Sequence, residues 1–495
     1  MKKWITLIFV LLLLTVSCQL TIESPALLRG FDPPATADEV VRFSQRAAGR
    51  SSSLHLETLG FSEQGRPIAA LRFSADSEKD ENKLRVLIFA QQHGNEQSSK
   101  EASLLLISDF AKGKHAHWLE FMDIWIVPQV NPDGSEVNER RNANGIDLNR
   151  DHIVLEASET RALRGLFHRT LPHVTVDIHE YQPFRESWEQ FGGFKTFDVQ
   201  VGVPTNPNVD EDIRTFALKE ALPSIENHLT ERGFSFHNYL VGPVPSEGRT
   251  RHSTVDFSDG RQSFAMLNTL SFIYEGINGR DGFVENLERR TFGQYEALMA
   301  LLNFLYENHE TARQLVESGR EKLKNATPGQ EVAIRMDHFP GDTPLLLPLL
   351  SSRTGNDTLV VVENFHPQVK PLAFASRPLG YLIPANDTLL TRLVRKHQIQ
   401  FSETIPEGTT IMAAKTATIS TRIDEELENR FPEVTFHTYE KIAQEGEYWF
   451  LPINQLHANL LVSLLEPQSM LGIAQRSGFE YLLKKDTLFP IKRVE

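Results

Sequence analysis

Two residues with metal-ligand chemistry, His93 and Glu96, stand three apart in the run His93-Gly94-Asn95-Glu96. Imidazole nitrogen and carboxylate oxygen are both zinc donors, and a catalytic zinc takes three protein ligands while leaving a further position for water. The pair therefore supplies two of three ligands. An isolated His-x-x-Glu also fits an ordinary surface turn, so its meaning depends on the elements that carry it. Immediately before it, Leu84, Val86, Leu87, Ile88 and Phe89 form an apolar run too short for a helix and rich in β-formers. Gly94 and Asn95 then mark the turn that ends this strand. The ligands are thus expected at the end of a buried strand.

The same alternation continues along the chain. Ser98 to Phe110 reads as an amphipathic helix, Asp123 to Val130 and Val174 to His179 as strands, and Asp210 to Glu231 as a helix. Leu270 to Glu275 is a further strand, and Asn286 to Glu307 a helix. Such a pattern predicts an α/β fold with a mixed, mostly parallel central sheet flanked by helices. Ligands in such folds sit beyond strand ends, where His93, His179 and Glu275 all stand. Past Glu310 the composition changes. A connecting helix and linker over 311–330 leads into a smaller β-rich C-terminal domain over 331–495, with strands at 332–336, 358–362, 380–384 and 433–439 and one helix at 455–465.

The chain begins with Lys2 and Lys3, an apolar stretch from Ile5 to Leu14 and small residues before Cys18, the pattern of an export signal over 1–18. Cys18 is the only cysteine, so no intramolecular disulfide exists to explain it. The segment LTVSC resembles the lipobox of bacterial lipoproteins, although Leu14 stands four residues before the cysteine instead of three. That resemblance implies a lipid anchor at Cys18 and a protein facing the periplasm or cell surface, joined to the membrane through that anchor only. Residues 19–45 read as a tether and N-terminal segment, with helix caps at Thr36 and Asp38, and 46–310 as the main domain. A net charge of -14 argues against nucleic acid as a partner.

Downstream lie NPDGSEVNERRNANGIDLNRD, from Asn131 to Asp151, and DIHEY, from Asp177 to Tyr181. Together with HGNE and the late Glu275, they resemble the ordered motifs of the zinc carboxypeptidase family typified by pancreatic carboxypeptidase A, over about 54–306. Carried over residue by residue, the resemblance implies His93, Glu96 and His179 as ligands of a catalytic zinc, with Asp147 hydrogen-bonded to a ligand histidine. It also implies Glu275 as general base and then general acid. Asn149 and Arg150 are expected to bind the substrate's terminal carboxylate, and Arg140 to polarise the scissile carbonyl. Arg141 competes with Arg140 for a place at the substrate.

The implied activity is hydrolysis of a C-terminal peptide bond by zinc-activated water, on peptides with a free C-terminal carboxylate. A hydrolase of the same fold acting on murein peptides or N-acyl amino acids is the alternative within this class, and a catalytically silent binding lipoprotein the alternative outside it. Retention of His93, Glu96, His179 and Glu275 favours an enzyme.

Two departures accompany these matches. The family's loop tyrosine is missing from 244–264, leaving Tyr239 and His252 as the nearest substitutes, and the third ligand is followed by the charged Glu180. The charged stretch from Arg249 to Arg261 suggests a polar or charged substrate end. The segments RPLGYLIPAN at 377–386 and LLEPQS at 464–469 resemble the C-terminal extension of large bacterial members, which implies a domain that packs on the enzyme and stabilises it.

Overall fold

The computed structural model describes residues 22–75, 80–424, 427–439 and 446–495; the expected export signal and Cys18 lie outside them. Eight strands form the central sheet. They are β1 (Leu54–Phe61), β2 (Pro67–Phe73), β3 (Leu84–Ala90), β4 (Met122–Val127), β5 (Val174–Tyr181), β6 (Val199–Gly202), β7 (Phe236–Asn238) and β8 (Leu270–Ile277). Their spatial order is β1-β2-β4-β3-β5-β8-β6-β7. β4, β3, β5 and β8 run parallel at the centre, while β1, β2 and β6 enter antiparallel towards the edges. Every residue of β3 and β4 is buried. Strands covered on both faces lose the in-out alternation of a half-exposed sheet, which is why they read as unbroken apolar runs.

Helices that cover this sheet or its ends include α1 (Ala37–Ala48), α2 (Gln97–Ala111), α3 (Ser158–Thr170), α4 (Leu287–Glu307) and α5 (His309–Lys324). α2 departs from its expected amphipathic character, because all of its residues are buried. α1 and α4 both pack on it. Its polar side chains are accommodated by pairing: Lys100 lies 3.5 Å from Glu101, and the Glu101 carboxylate accepts a hydrogen bond from the Ala35 backbone amide at 2.7 Å. That contact corrects the reading of residues before α1 as a free tether. Ala26 and Phe31 are buried against Leu105 of α2 and Leu287 of α4, so this stretch is packed on the helices that cover the sheet.

The C-terminal region is β-rich, as expected, but it is not set apart. Its five-stranded antiparallel sheet includes the long pair Ile411–Asp424 and Leu427–Thr438, and one hydrophobic core runs from β3 and β5 through to Leu460, Leu461 and Ile491. Two short strands of the N-terminal part even pair with it. Gly193–Phe194 joins Leu345–Ser351, and Thr250–His252 joins Phe365–His366. Among the described residues, no helix is long and apolar enough to cross a membrane.

Candidate active site

Four functional side chains come from three adjacent parallel strands. His93 follows β3, and Glu96 stands at the start of α2. His179 on β5 and Glu275 on β8 are register partners, so their side chains share one face of the sheet. Gly94 explains why the first motif needs a glycine. A Cβ there would fall 2.1 Å from the backbone of Gly134, so the NPDG turn can close on the ligand turn only if position 94 lacks a side chain. Asn131 fastens the same junction by donating to the Gln92 carbonyl (3.1 Å) and accepting from the Gly134 amide (2.9 Å).

The donor atoms converge. His93 Nδ1 lies 2.7 Å from Glu96 Oε1 and 3.1 Å from His179 Nδ1, and His179 Nδ1 lies 2.9 Å from Glu96 Oε2. Each ring is held from behind by a carboxylate: His93 Nε2 to Asp147 Oδ1 at 3.1 Å, and His179 Nε2 to Asp177 Oδ1 at 2.8 Å. With Nε2 donating, both Nδ1 lone pairs face Glu96. Two imidazoles and a carboxylate, oriented by outer carboxylates, fit a catalytic zinc. Burial opposes charge on Glu96, but the two imidazoles outweigh it and hold the carboxyl well below its ordinary range. Replacing Asp147 by Ala frees the His93 ring and is expected to weaken zinc binding about 10- to 100-fold, read by competition with a chelator.

The arginines and Asn149 separate clearly. Arg140 reaches the centre: its Nη1 lies 3.1 Å from His93 Nδ1, and its Nε and Nη2 each lie 3.0 Å from Asp147 Oδ2. Arg141 does not. It is exposed and donates to the Gly145 carbonyl, with no contact to the ligand cluster among the hydrogen bonds of the described residues. Asn149 is partly committed inside the protein. Its Oδ1 accepts from the Gly260 amide at 2.7 Å, and its Nδ2 lies 3.2 Å from His179 Nε2. The Asn149 oxygen is therefore occupied, while its NH2 group faces a ring nitrogen that already donates to Asp177 and so remains an unspent donor. Asp177, which the sequence reading passed over, was marked by its place two residues before His179 on the same strand face.

Glu275 is only 8% exposed. Burial raises its pKa, an effect opposed by His179, supported by Glu96 and moderated by a hydrogen bond from Tyr239. Glu180 points away and forms a buried pair with Arg290 at 2.8 Å, also accepting from Ser98 at 2.7 Å, so it adds no charge at the centre.

A sequence profile described as zinc carboxypeptidase matches residues 40–183, the span that delivers His93, Glu96, Asp147 and His179. A carboxypeptidase 2 from Trichophyton rubrum is 30% identical over 307 residues, covering 59% of this chain and 56% of that protein. Over this span the chain is similar to zinc carboxypeptidases. It spans about half the length of the curated carboxypeptidase 2 relatives it matches. A zinc carboxypeptidase from Saccharothrix mutabilis subsp. capreolus is 30% identical over 104 residues, covering 20% of this chain and 24% of that one. Among solved structures, a carboxypeptidase A from Helicoverpa armigera aligns with 18% identity and a TM-score of 0.44, covering 56% of this chain and 75% of the other.

Tyr239 also reaches this centre. It lies between β7 and the short strand Leu240–Val241, outside the stretch where a loop tyrosine was sought, and its hydroxyl bonds to Glu275. The charges of 249–261 are largely consumed internally. Arg249 meets Asp337 at 3.0 Å, Asp256 meets Arg476 at 2.9 Å, and Arg261 bonds to Thr254 Oγ1 at 3.0 Å and Asp259 at 3.2 Å. This corrects the inference that the loop's own charges face the substrate.

Two of those partners, Asp337 and Arg476, belong to the C-terminal region, which therefore grips the loop whose Gly260 anchors Asn149. Arg476→Met is expected to raise KM several-fold with little change in kcat, because the loop loses its anchor while the metal ligands keep theirs. Burial alone would raise the Asp256 pKa, but the Arg476 guanidinium outweighs it and holds it at about 2. A folded-state pKa below the unfolded value of about 3.9 stabilises above that value and is lost as pH falls towards 2. Acid unfolding of Arg476→Met should lack this step.

Proposed function

We propose that this chain is a zinc metallocarboxypeptidase that removes the C-terminal residue of a peptide. The observation carrying the reading is the convergence of His93 Nδ1, His179 Nδ1 and the Glu96 carboxylate within 2.7–3.1 Å, with both outer imidazole nitrogens held by carboxylates. Zinc bound by these residues would supply a Lewis acid and make water nucleophilic near neutral pH. The protein's own groups do the rest. Glu275 accepts a proton from the attacking water and returns it to the leaving amine. Its burial favours the protonated form and so assists the second transfer. Arg140, whose guanidinium borders both His93 and Glu96, donates to the carbonyl oxygen as negative charge grows there. Arg150 receives the terminal carboxylate, which sets the scissile bond in register with the centre.

The test is release of free amino acids from the C-termini of a broad peptide panel, together with zinc content. Zinc binding without release from any peptide would overturn the activity. Export and lipid anchoring at Cys18 belong to the same proposal, supported by the Lys2-Lys3 start, the apolar stretch and the LTVSC segment. Cys18→Ser should move the protein from the membrane fraction to the soluble exported fraction.

A further inference from the structure

The two carboxylates behind the ligand histidines are held in different ways. Asp147 is bonded by the Arg140 guanidinium, whereas Asp177 has no arginine or lysine partner among the described residues. An amide takes that place. Gln92, the residue before the ligand His93, sets its Nε2 2.9 Å from each of the two Asp177 oxygens.

An amide has a donor end and an acceptor end, and its neighbours decide which of them faces Asp177. A carboxylate only accepts, so the NH2 group must face it, and Oε1 is thereby turned the other way. There it lies 2.7 Å from His152 Nε2. That ring nitrogen must carry a proton. Burial, reinforced by the charge of Arg164, holds the His152 pKa well below its ordinary value, so the ring carries one proton only, and its Nδ1 has no partner among the described residues. The bonds therefore run one way, from His152 to Gln92 and from Gln92 to Asp177. His179 donates to the same carboxylate from the metal side at 2.8 Å, which leaves its Nδ1 lone pair turned to Glu96.

This arrangement has no slack. Gln92, His152 and Asp177 are fully buried, and a Cβ on Gly260 would stand 2.7 Å from Asp177 Oδ2, 3.0 Å from Gln92 Nε2 and 3.2 Å from His152 Nε2. The backbone at both ends is fastened as well. The Gln92 carbonyl accepts from Asn131, and the His152 carbonyl accepts from Arg164 Nη2 at 3.0 Å while its amide donates to Ser258 at 3.2 Å. Turning the Gln92 amide over would strand the His152 donor and set an oxygen against a buried carboxylate, at the cost of unsatisfied polar groups.

Resting on the metal assignment of the carboxypeptidase reading above, we propose that Gln92 and His152 are positioning residues for the third zinc ligand. His152 fixes which end of the Gln92 amide faces Asp177, and Gln92 fixes the carboxylate that orients His179.

Zinc affinity of the full chain, read by competition with a chromophoric chelator, tests this without any substrate. Gln92→Met keeps the length of the side chain and removes both ends of the amide, and should weaken zinc binding about 10- to 100-fold. His152→Leu leaves the Gln92 donor in place but frees the amide to turn, and should weaken binding several-fold. In His152→Gln an amide nitrogen can donate in place of the ring, and affinity should return close to wild type. Because His152 acts only through Gln92, His152→Leu should add nothing in the Gln92→Met background. A role in folding alone would lower the Tm of the metal-free protein and leave the zinc affinity of the folded protein unchanged. Unchanged affinity in Gln92→Met overturns the proposal, as does a His152→Leu effect that persists in full beside Gln92→Met. If Gln92→Met does not fold, the His152 variants decide, and equal affinity in His152→Leu and His152→Gln overturns the assignment. Wild type that binds zinc but cleaves no peptide sinks the carboxypeptidase activity while these affinities still decide the positioning; wild type that binds no zinc overturns both.

Discussion

Glu275→Gln is expected to lower kcat by about 10²- to 10⁴-fold while zinc content and KM stay close to wild type. The amide matches the carboxylate in size and can still accept the Tyr239 hydrogen bond, so the packing around this nearly buried position survives. What is lost is basicity. An amide neither takes a proton from water nor carries one to the departing amine, and both transfers belong to the bond-breaking sequence, not to binding. Arg150 and the pocket walls are untouched, which is why the loss should fall on kcat and not on KM. Metal analysis of the same preparation separates this from an indirect effect. Activity lost together with zinc would mean that Glu275 supports the ligands, and the role of base would fall.

How far the sequence carried depends on which force each residue obeys. β3, β5 and β8 were legible because central parallel strands bury both faces, leaving an apolar run that ends where solvent and ligands begin. His93, Glu96, His179 and Glu275 stand at those ends, so local pattern located them. α2 was misread as amphipathic because Lys100 and Glu101 look like a solvent face; in the fold Glu101 is neutralised by Lys100 and by the Ala35 amide, a partner 66 residues away. The N-terminal segment was misread as a tether for the same reason, seen from the other side of that contact.

The site's remaining errors share a cause. Asn149 sits in a motif that suggests an open amide, yet Gly260, more than a hundred positions along, occupies its oxygen. A Cβ on Gly260 would approach Asp177 Oδ2 to 2.7 Å, so this contact exists only because the position is glycine. Arg140 and Arg141 are adjacent and chemically identical, and only the fold decides that one turns to Asp147 while the other turns to Gly145. Charges in 249–261 suggested a polar pocket, but Asp337 and Arg476 answer two of them from the C-terminal region. Short-range spacing thus predicted which residues do chemistry, whereas long-range pairing decided which charges remain free to do it.

Loss of a ligand should have consequences for stability as well as rate. In His179→Gln, activity is expected to fall to background, and zinc restored after chelation should recover wild type but not the variant. Glutamine is chosen because its amide can still donate to Asp177, which is buried and already accepts from Gln92 at 2.9 Å; alanine would strand that carboxylate and confuse metal loss with misfolding. The same comparison reads out metal binding without substrate. A ligand that binds only the folded state stabilises it by RT ln(1 + [L]/Kd), about 4 kcal/mol at a thousandfold excess over Kd. Added zinc should therefore raise the Tm of chelator-treated wild type by several degrees and leave His179→Gln nearly unmoved. The sign follows from the cluster itself: Glu96 and the two imidazoles are buried within 2.7–3.1 Å of one another, and a cation among them satisfies the carboxylate and both Nδ1 lone pairs at once. A wild-type Tm insensitive to zinc would mean that the three side chains serve only one another, and the metal assignment would fall with the reaction built on it.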